Sequence, residues 1–263
     1  MDLDWFALKP SPDESCPNMD WMLVFIAGVF ALGGFVKGAI GLGLPTITIG
    51  LLSLVMSPLE AAALLIVPSL LTNVWQAMAG QWLGAIVRRL WPMLAGVCFG
   101  TWVGMGFMTG TPARYAAPLL GLALIAYAVT ALSAVRMSVP RDKERGIGGV
   151  VGVITGLITA ATGIFVVPAV PFIQSIGLEK DELVQTLGVF FLVSTFALAV
   201  NVGFSGGLNA SIAVPATVSL VLSCVGMWLG QNLRKRMAPE AFRRWFFIGM
   251  LALGAYLALR AFV

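Results

Sequence analysis

Three stretches of this chain, Ala61 to Val87, Gly146 to Leu178 and Leu183 to Leu233, contain no Asp, Glu, Lys or Arg. A membrane-spanning helix needs about 20 consecutive apolar residues. Each run therefore has room for at least one such helix, and the last has room for two. Of 263 residues, 59% are hydrophobic and 11% charged, against about 25% charged in soluble domains. The chain reads as an all-α polytopic membrane protein. Its formal charge of +4 is carried largely in short loops between apolar segments, where it sets orientation and gives no nucleic-acid signal.

The sequence also repeats itself. Cys98-x-Gly100-x-Trp102-x-Gly104 returns as Cys224-x-Gly226-x-Trp228-x-Gly230. Thr111-Pro112 is echoed by Ala238-Pro239, Gly121 by Gly249, and Ala126-Tyr127 by Ala255-Tyr256, with the offset drifting from 126 to 129. Ten apolar segments are expected, five per half: 21–38, 44–56, 60–82, 90–108 and 115–135, then 147–160, 163–176, 183–204, 211–233 and 244–262. Segments two and seven span under ~20 Å at 1.5 Å per residue, too short for a hydrocarbon core of ~30 Å. Their matched places suggest discontinuous or re-entrant helices lining a cavity. The expected total is about 8 crossings, within a range of six to ten.

Basic residues cluster at Arg88-Arg89, at Arg136, Arg141, Lys143 and Arg145, and at Arg234-Lys235-Arg236 with Arg243-Arg244. The stretches Thr109–Pro112 and Ser205–Asn209 carry none. If the acidic N-terminus lies outside and each half crosses an odd number of times, all three basic clusters fall on the cytoplasmic side. An odd count also inverts the second half relative to the first. The expected organisation is an extracytoplasmic tail over 1–20 and a first transmembrane repeat over 21–136. A basic cytoplasmic linker over 137–146 and a second, inverted repeat over 147–263 follow. The first helix is expected to act as an uncleaved insertion signal.

Candidate site residues gather at the two breaks. The first half reads Gly33-Gly34-Phe35-Val36-Lys37-Gly38-Ala39-Ile40-Gly41-Leu42-Gly43-Leu44-Pro45. Gly34/Gly38 and, in the second half, Gly152/Gly156 make G-x-x-x-G spacings that let helix backbones approach closely. Gly41 and Gly43 permit unwound backbone, and Pro45 suits the first turn of a new helix. A helix that starts in mid-membrane presents free N–H groups and partial positive charge, which favours an anion; a plain structural break is the alternative. Thr159, Thr162 and Gly163 would form the corresponding place in the second half. Lys37 has two open readings, a cation attracting an anionic substrate or a side chain snorkelling to the interface. Asn73 and Gln76 share a helix face, and Gln185 lies in the matching segment. They can line a pore or make interhelical hydrogen bonds. Cys98 and Cys224 read as small packing residues. Glu60 and Glu179 read as acids in a helix's first turn.

The chain contains no His, which removes His-ligated haem, H-E-x-x-H zinc sites and Ser-His-Asp triads. It has no nucleotide-binding P-loop, and no acidic residue lies deep in an apolar run. No catalytic centre, cofactor or metal is expected.

The glycine-rich break after the first helix, its degenerate copy in the second half and the basic central loop resemble the sulfite exporter TauE/SafE family. The resemblance runs from about Trp21 to Arg260. Here Gly41-Leu42-Gly43-Leu44-Pro45 is a diluted glycine cluster, and Ala160-Ala161-Thr162 replaces most glycines of the second copy. The resemblance implies a secondary transporter that exports sulfite, organosulfonates or related sulfur-containing anions across the bacterial inner membrane. The substrate is expected between the halves, touching Lys37, Gly38, Gly41, Gly43, Pro45, Asn73, Gln76, Thr159, Thr162, Gly163 and Gln185. Partners are then a small anion and lipid, with no nucleic acid; a homodimer is compatible with the sequence. A passive anion channel and, more remotely, a membrane-embedded enzyme or scaffold are the competing classes.

Overall fold

A computed structural model describes residues 17–109, 115–133, 138–207, 213–234 and 239–259. The expectations that concern residues 1–16 of the acidic tail and Thr111, Pro112, Arg136, Asn209, Lys235, Arg236 and Ala238 lie outside the described residues. Those described form ten helices and no strand: α1 (Pro17–Ile40), α2 (Leu44–Leu52), α3 (Pro58–Met78), α4 (Leu83–Val103), α5 (Ala116–Leu132), α6 (Glu144–Thr162), α7 (Ala169–Ser175), α8 (Lys180–Phe204), α9 (Ala213–Arg234) and α10 (Pro239–Leu259).

Six of them, α1, α3, α4, α6, α8 and α9, contain stretches long and apolar enough to cross a membrane; Ala116–Leu132 and Arg244–Leu259 are shorter apolar helices. With 9 and 7 residues, α2 and α7 reach only ~10–14 Å at 1.5 Å per residue. The chain is a multi-pass membrane protein whose second helix in each half of the order stops short.

Several boundaries differ from the sequence reading for local reasons. Helix α4 starts at Leu83, seven residues before the expected 90. Arg88 and Arg89 therefore sit in its first two turns, not in a loop. Helix α2 ends at Leu52 and not at 56, because a new helix is started just beyond it. Ser57 donates its N–H to Glu60 Oε2 at 2.8 Å and accepts the Glu60 N–H on Oγ at 3.3 Å, a capping box that fixes the start of α3. Helix α7 begins only at Ala169, after Pro168, so residues 164–168 of the seventh apolar segment are non-helical. Glu179 is the N-cap of α8; its first-turn acids are Asp181 and Glu182.

Glycine determines which helices touch. A Cβ placed on Gly34 or Gly38 of α1 would collide with the carbonyl oxygens of Ser223 or Met227 on α9, and one on Gly226 or Gly230 with those of Ala31 or Phe35. The same interlock joins α4 to α6: Gly96 and Gly100 press on Gly149 and Val153, and Gly152 and Gly156 on Met93 and Val97. In lipid, helices gain little from apolar burial between them, so close backbone packing of this kind holds the bundle. The echoed Cys-x-Gly-x-Trp motif is thus two-faced. Its glycines face the partner helix, while Trp102 and Trp228 are 64% and 63% exposed. Cys98 and Cys224 are also exposed, which corrects their reading as packing residues: they stand two positions from a packing glycine, on the opposite side of the helix.

The most extensive pairings are α1 with α9, α4 with α6, α3 with α8 and α5 with α10. Replace every helix by the one five places along, and the same four pairings return. Helices α3 and α8 pack on each other and so on their own counterparts.

The glycine interlock makes a stability prediction within one helix. Gly34→Ala should destabilise by about 1–3 kcal/mol through overpacking against Ser223 and lower the detergent melting temperature. Gly28→Ala, which meets nothing within 4 Å, should leave that temperature unchanged or raise it slightly through better helix propensity.

Candidate functional site

The first break is built from backbone conformations open to glycine. Gly41 and Gly43 sit at φ +81° and +115°, a region that disfavours side chains. Gly43 is the N-cap of α2, with Pro45 in the first turn as expected. The freed carbonyls need partners, since lipid supplies none. Gly43 O accepts from Ile47 N at 2.9 Å and Thr46 Oγ1 at 2.9 Å. Gly41 O accepts from Gln76 Nε2 of α3 at 3.0 Å, and the same nitrogen donates to Val184 O of α8 at 2.9 Å. Gln76 thereby ties the break to both central helices.

Gln185 plays a similar part at the α3–α4 turn. Its Nε2 donates to Ala77 O at 2.8 Å and Gly80 O at 3.0 Å, while its Oε1 accepts from Trp82 N at 3.0 Å. In the second break, Gly163 closes α6 at φ +75°. Thr159 Oγ1 donates to Thr155 O at 2.7 Å, and Thr162 Oγ1 donates to Ile158 O at 2.8 Å while accepting from Ile164 N at 3.2 Å. In this conformation, then, Gln76, Gln185, Thr159 and Thr162 all bond main-chain groups. Gly38 faces α9.

One turn along α3 from Gln76 lies the charged centre. Lys37 is 2% exposed, and its ammonium donates to Thr72 Oγ1 at 2.9 Å and to Asn73 Oδ1. It therefore points into the bundle and does not snorkel to the interface. Asn73 Nδ2 donates to Ser69 Oγ at 3.0 Å and Thr195 Oγ1 at 3.2 Å. The Ser69 and Thr195 hydroxyls are 3.0 Å apart, and Thr195 Oγ1 donates to Phe191 O at 2.6 Å. Since Thr195 has one hydroxyl hydrogen, Ser69 is the donor between them. The chain of donors runs Lys37 to Asn73 to Ser69 and Thr195, across α1, α3 and α8.

No carboxylate joins this network. Among the described residues the one salt bridge is elsewhere, between Arg89 and Glu144. Arg89 Nε and Nη2 meet the two Glu144 oxygens at 2.8 and 2.7 Å, and Nη2 also donates to Ile176 O at 2.9 Å. This bidentate clamp binds the starts of α4 and α6 to the end of α7. An ammonium at a bilayer centre costs roughly 2.5–3.5 kcal/mol or more, and hydrogen bonds from a charged group return about 1.5–3 kcal/mol each. Thr72 and Asn73 thus offset part of the cost of holding Lys37 inside. A separate cavity of about 300 Å³ opens between α1, α2 and α10, lined by Leu32, Val36, Ile47, Leu51, Phe246 and Met250 among others. It is lined almost wholly by apolar groups and carries no charged side chain.

Sequence reasoning missed Ser69, although it precedes Asn73 by one turn and so shares its face. Thr195 is its partner on α8. A signal for both was present: they are 126 positions apart, the starting offset of the repeat. The Arg89–Glu144 clamp had no such signal, because its partners belong to different helices without a shared spacing.

The network makes a coupling prediction. Asn73→Leu should strip Lys37 of its carbonyl acceptor and lower the melting temperature, and adding Lys37→Met should recover most of the loss. A coupling of about 1–3 kcal/mol is expected from a double-mutant cycle; additive effects would separate the two side chains.

A family model described as sulfite exporter TauE/SafE matches residues 25–257, nearly the whole chain, and the chain belongs to that family. No curated protein and no solved structure matches it.

Proposed function

We propose that this member of the sulfite exporter TauE/SafE family is a secondary transporter of small sulfur-containing anions, sulfite or organosulfonates, acting by alternating access in a bacterial inner membrane. The single observation that carries the reading is Lys37. A lone ammonium, buried and held by an amide and a hydroxyl without a carboxylate, keeps its charge available to a mobile counter-ion. A carboxylate partner would compete with that ion; neutral oxygen ligands do not.

The break at Gly41–Gly43 lies one turn of α3 away, through Gln76. In the proposed pose the anion sits between Lys37 and the α2 N-terminus, whose partial positive charge adds to the ammonium. Gly41, Gly43 and Pro45 shape the approach, and Asn73 and Gln76 wall it from α3. Thr159, Thr162, Gly163 and Gln185 enter the site when the second half moves and their main-chain bonds exchange. Gly38 serves indirectly, by seating α1 against α9.

Alternating access draws support from the pairing pattern. A set of four helix pairs that maps onto itself under exchange of the halves, with Ser69 meeting Thr195 at the repeat offset, suits an inverted duplication. Rocking one half on the other around the α3–α8 contact would then expose the site to each side in turn. The proposed orientation keeps the N-terminus outside and Arg88, Arg141 and Arg234 in the cytoplasm.

The test is efflux of radiolabelled sulfite from proteoliposomes. The parent protein should release sulfite when a gradient is imposed, and Lys37→Met should slow release at least tenfold with its fold retained. Gly43→Leu, strained at φ +115°, should also slow it. Release unaffected by Lys37→Met would remove the assigned site, and a parent protein that moves no sulfite or sulfonate would remove the reading.

A further inference from the structure

We infer that the interior site selects by charge: it takes monovalent oxyanions, hydrogen sulfite and singly charged sulfonates, and rejects dianions of the same shape. The inference rests on the preceding reading of Lys37 as the substrate's counter-charge and adds its stoichiometry.

The first support is an inventory of buried charge. Among the described residues only Lys37 and Glu144 are charged and buried. Glu144 is neutralised by the two-pronged contact with Arg89, leaving Lys37 as the one uncompensated buried charge among the described residues. The helices packed on α1 bring no other among the residues whose side chains are described: on α2, α3, α9 and α10 these charged residues are Glu60, tied into its capping box with Ser57, and the exposed Arg244. A singly charged anion beside Lys37 makes a neutral pair. A dianion leaves one unit of negative charge in low dielectric, where an unpaired ion is strongly disfavoured.

The second support is an inventory of donors. Excess charge on an oxyanion can be absorbed by neutral N–H and O–H groups, as happens when a carboxylate takes several backbone amides. The side chains that hold Lys37 have those groups committed, and the α2 N-terminus adds only a partial charge. The Thr72 hydroxyl donates to Pro68 O at 2.7 Å, the Asn73 amide serves Ser69 and Thr195, and the Thr195 hydroxyl serves Phe191 O. An ammonium has three hydrogens, of which Thr72 and Asn73 take two. The third is free for one anionic oxygen.

For sulfite, which passes between hydrogen sulfite and sulfite around neutral pH, the form carried is then the protonated one. Each transported equivalent takes a proton with it on the substrate, without a carboxylate relay in the protein. That fits a chain whose apolar runs contain no acid.

The test compares inhibitors of labelled-sulfite efflux by the full chain in proteoliposomes at one pH. Methanesulfonate and sulfate are both tetrahedral at sulfur but carry one and two charges, and chlorate is a singly charged pyramidal mimic of sulfite. Methanesulfonate and chlorate should inhibit at concentrations at least tenfold below sulfate, and Lys37→Met should abolish the difference. Sulfate inhibiting as well as methanesulfonate would overturn the charge rule and leave the sulfur-anion transporter standing. Failure of every anion, sulfite included, to interact would overturn both.

Discussion

A main-chain amide or carbonyl that leaves its helix inside a bilayer finds no water, and each such group left unpaired costs several kcal/mol. This constraint orders the central part of the protein. The first break can exist because Gln76 reaches from α3 to Gly41 O, and the turn after α3 because Gln185 reaches back from α8. The second break is stitched by the Thr159 hydroxyl, which donates to Ile164 O, and the Thr162 hydroxyl, which accepts from Ile164 N. In return, these side chains fix α3 and α8 as the pair around which everything else is arranged. The outer helices are attached by another means, glycine faces that let α1 meet α9 and α4 meet α6 at backbone distance.

Within that frame Lys37, the one uncompensated buried charge among the described residues, is placed with economy. Lys37 follows Gly34 by three positions and precedes Gly38 by one. Two residues of α1 that pack against α9 thus bracket a side chain directed at α3. Asn73 and Thr72 hold the ammonium, and Ser69 and Thr195 hold Asn73. The network crosses the α3–α8 contact, so motion between the halves would act directly on the groups that hold the charge. The other strong electrostatic contact, Arg89 with Glu144 and Ile176 O, joins α4, α6 and α7 and stands apart from the Lys37 network.

Much of the architecture was legible in the chain. The ten helices of the described residues arise from the ten apolar segments, and the two short ones fall where length alone put them, because hydropathy and chain length act locally. The echoed Cys-x-Gly-x-Trp motif pointed to equivalent places but hid its own meaning. Periodicity cannot say which side of a helix finds a neighbour, so the cysteines were assigned to packing when the glycines do it. Lys37 shows the same limit at the site. Its depth in α1 suited both a buried cation and a snorkelling one, and only the position of α3 decides between them. Gln76 and Gln185 stood out as polar residues in apolar runs, yet their partners are carbonyls 35 to 108 positions away. No short-range pattern encodes a contact of that separation.

The central claim is that an anion binds at Lys37. The most direct measurement is an experimental density map of the protein soaked with hydrogenselenite, whose selenium is located by anomalous scattering. The account predicts a selenium peak within hydrogen-bonding reach of Lys37 Nζ, at the junction of α1, α3 and α8, and its disappearance in Lys37→Met. A peak confined to the exposed arginines, or persisting unchanged in the variant, would contradict it.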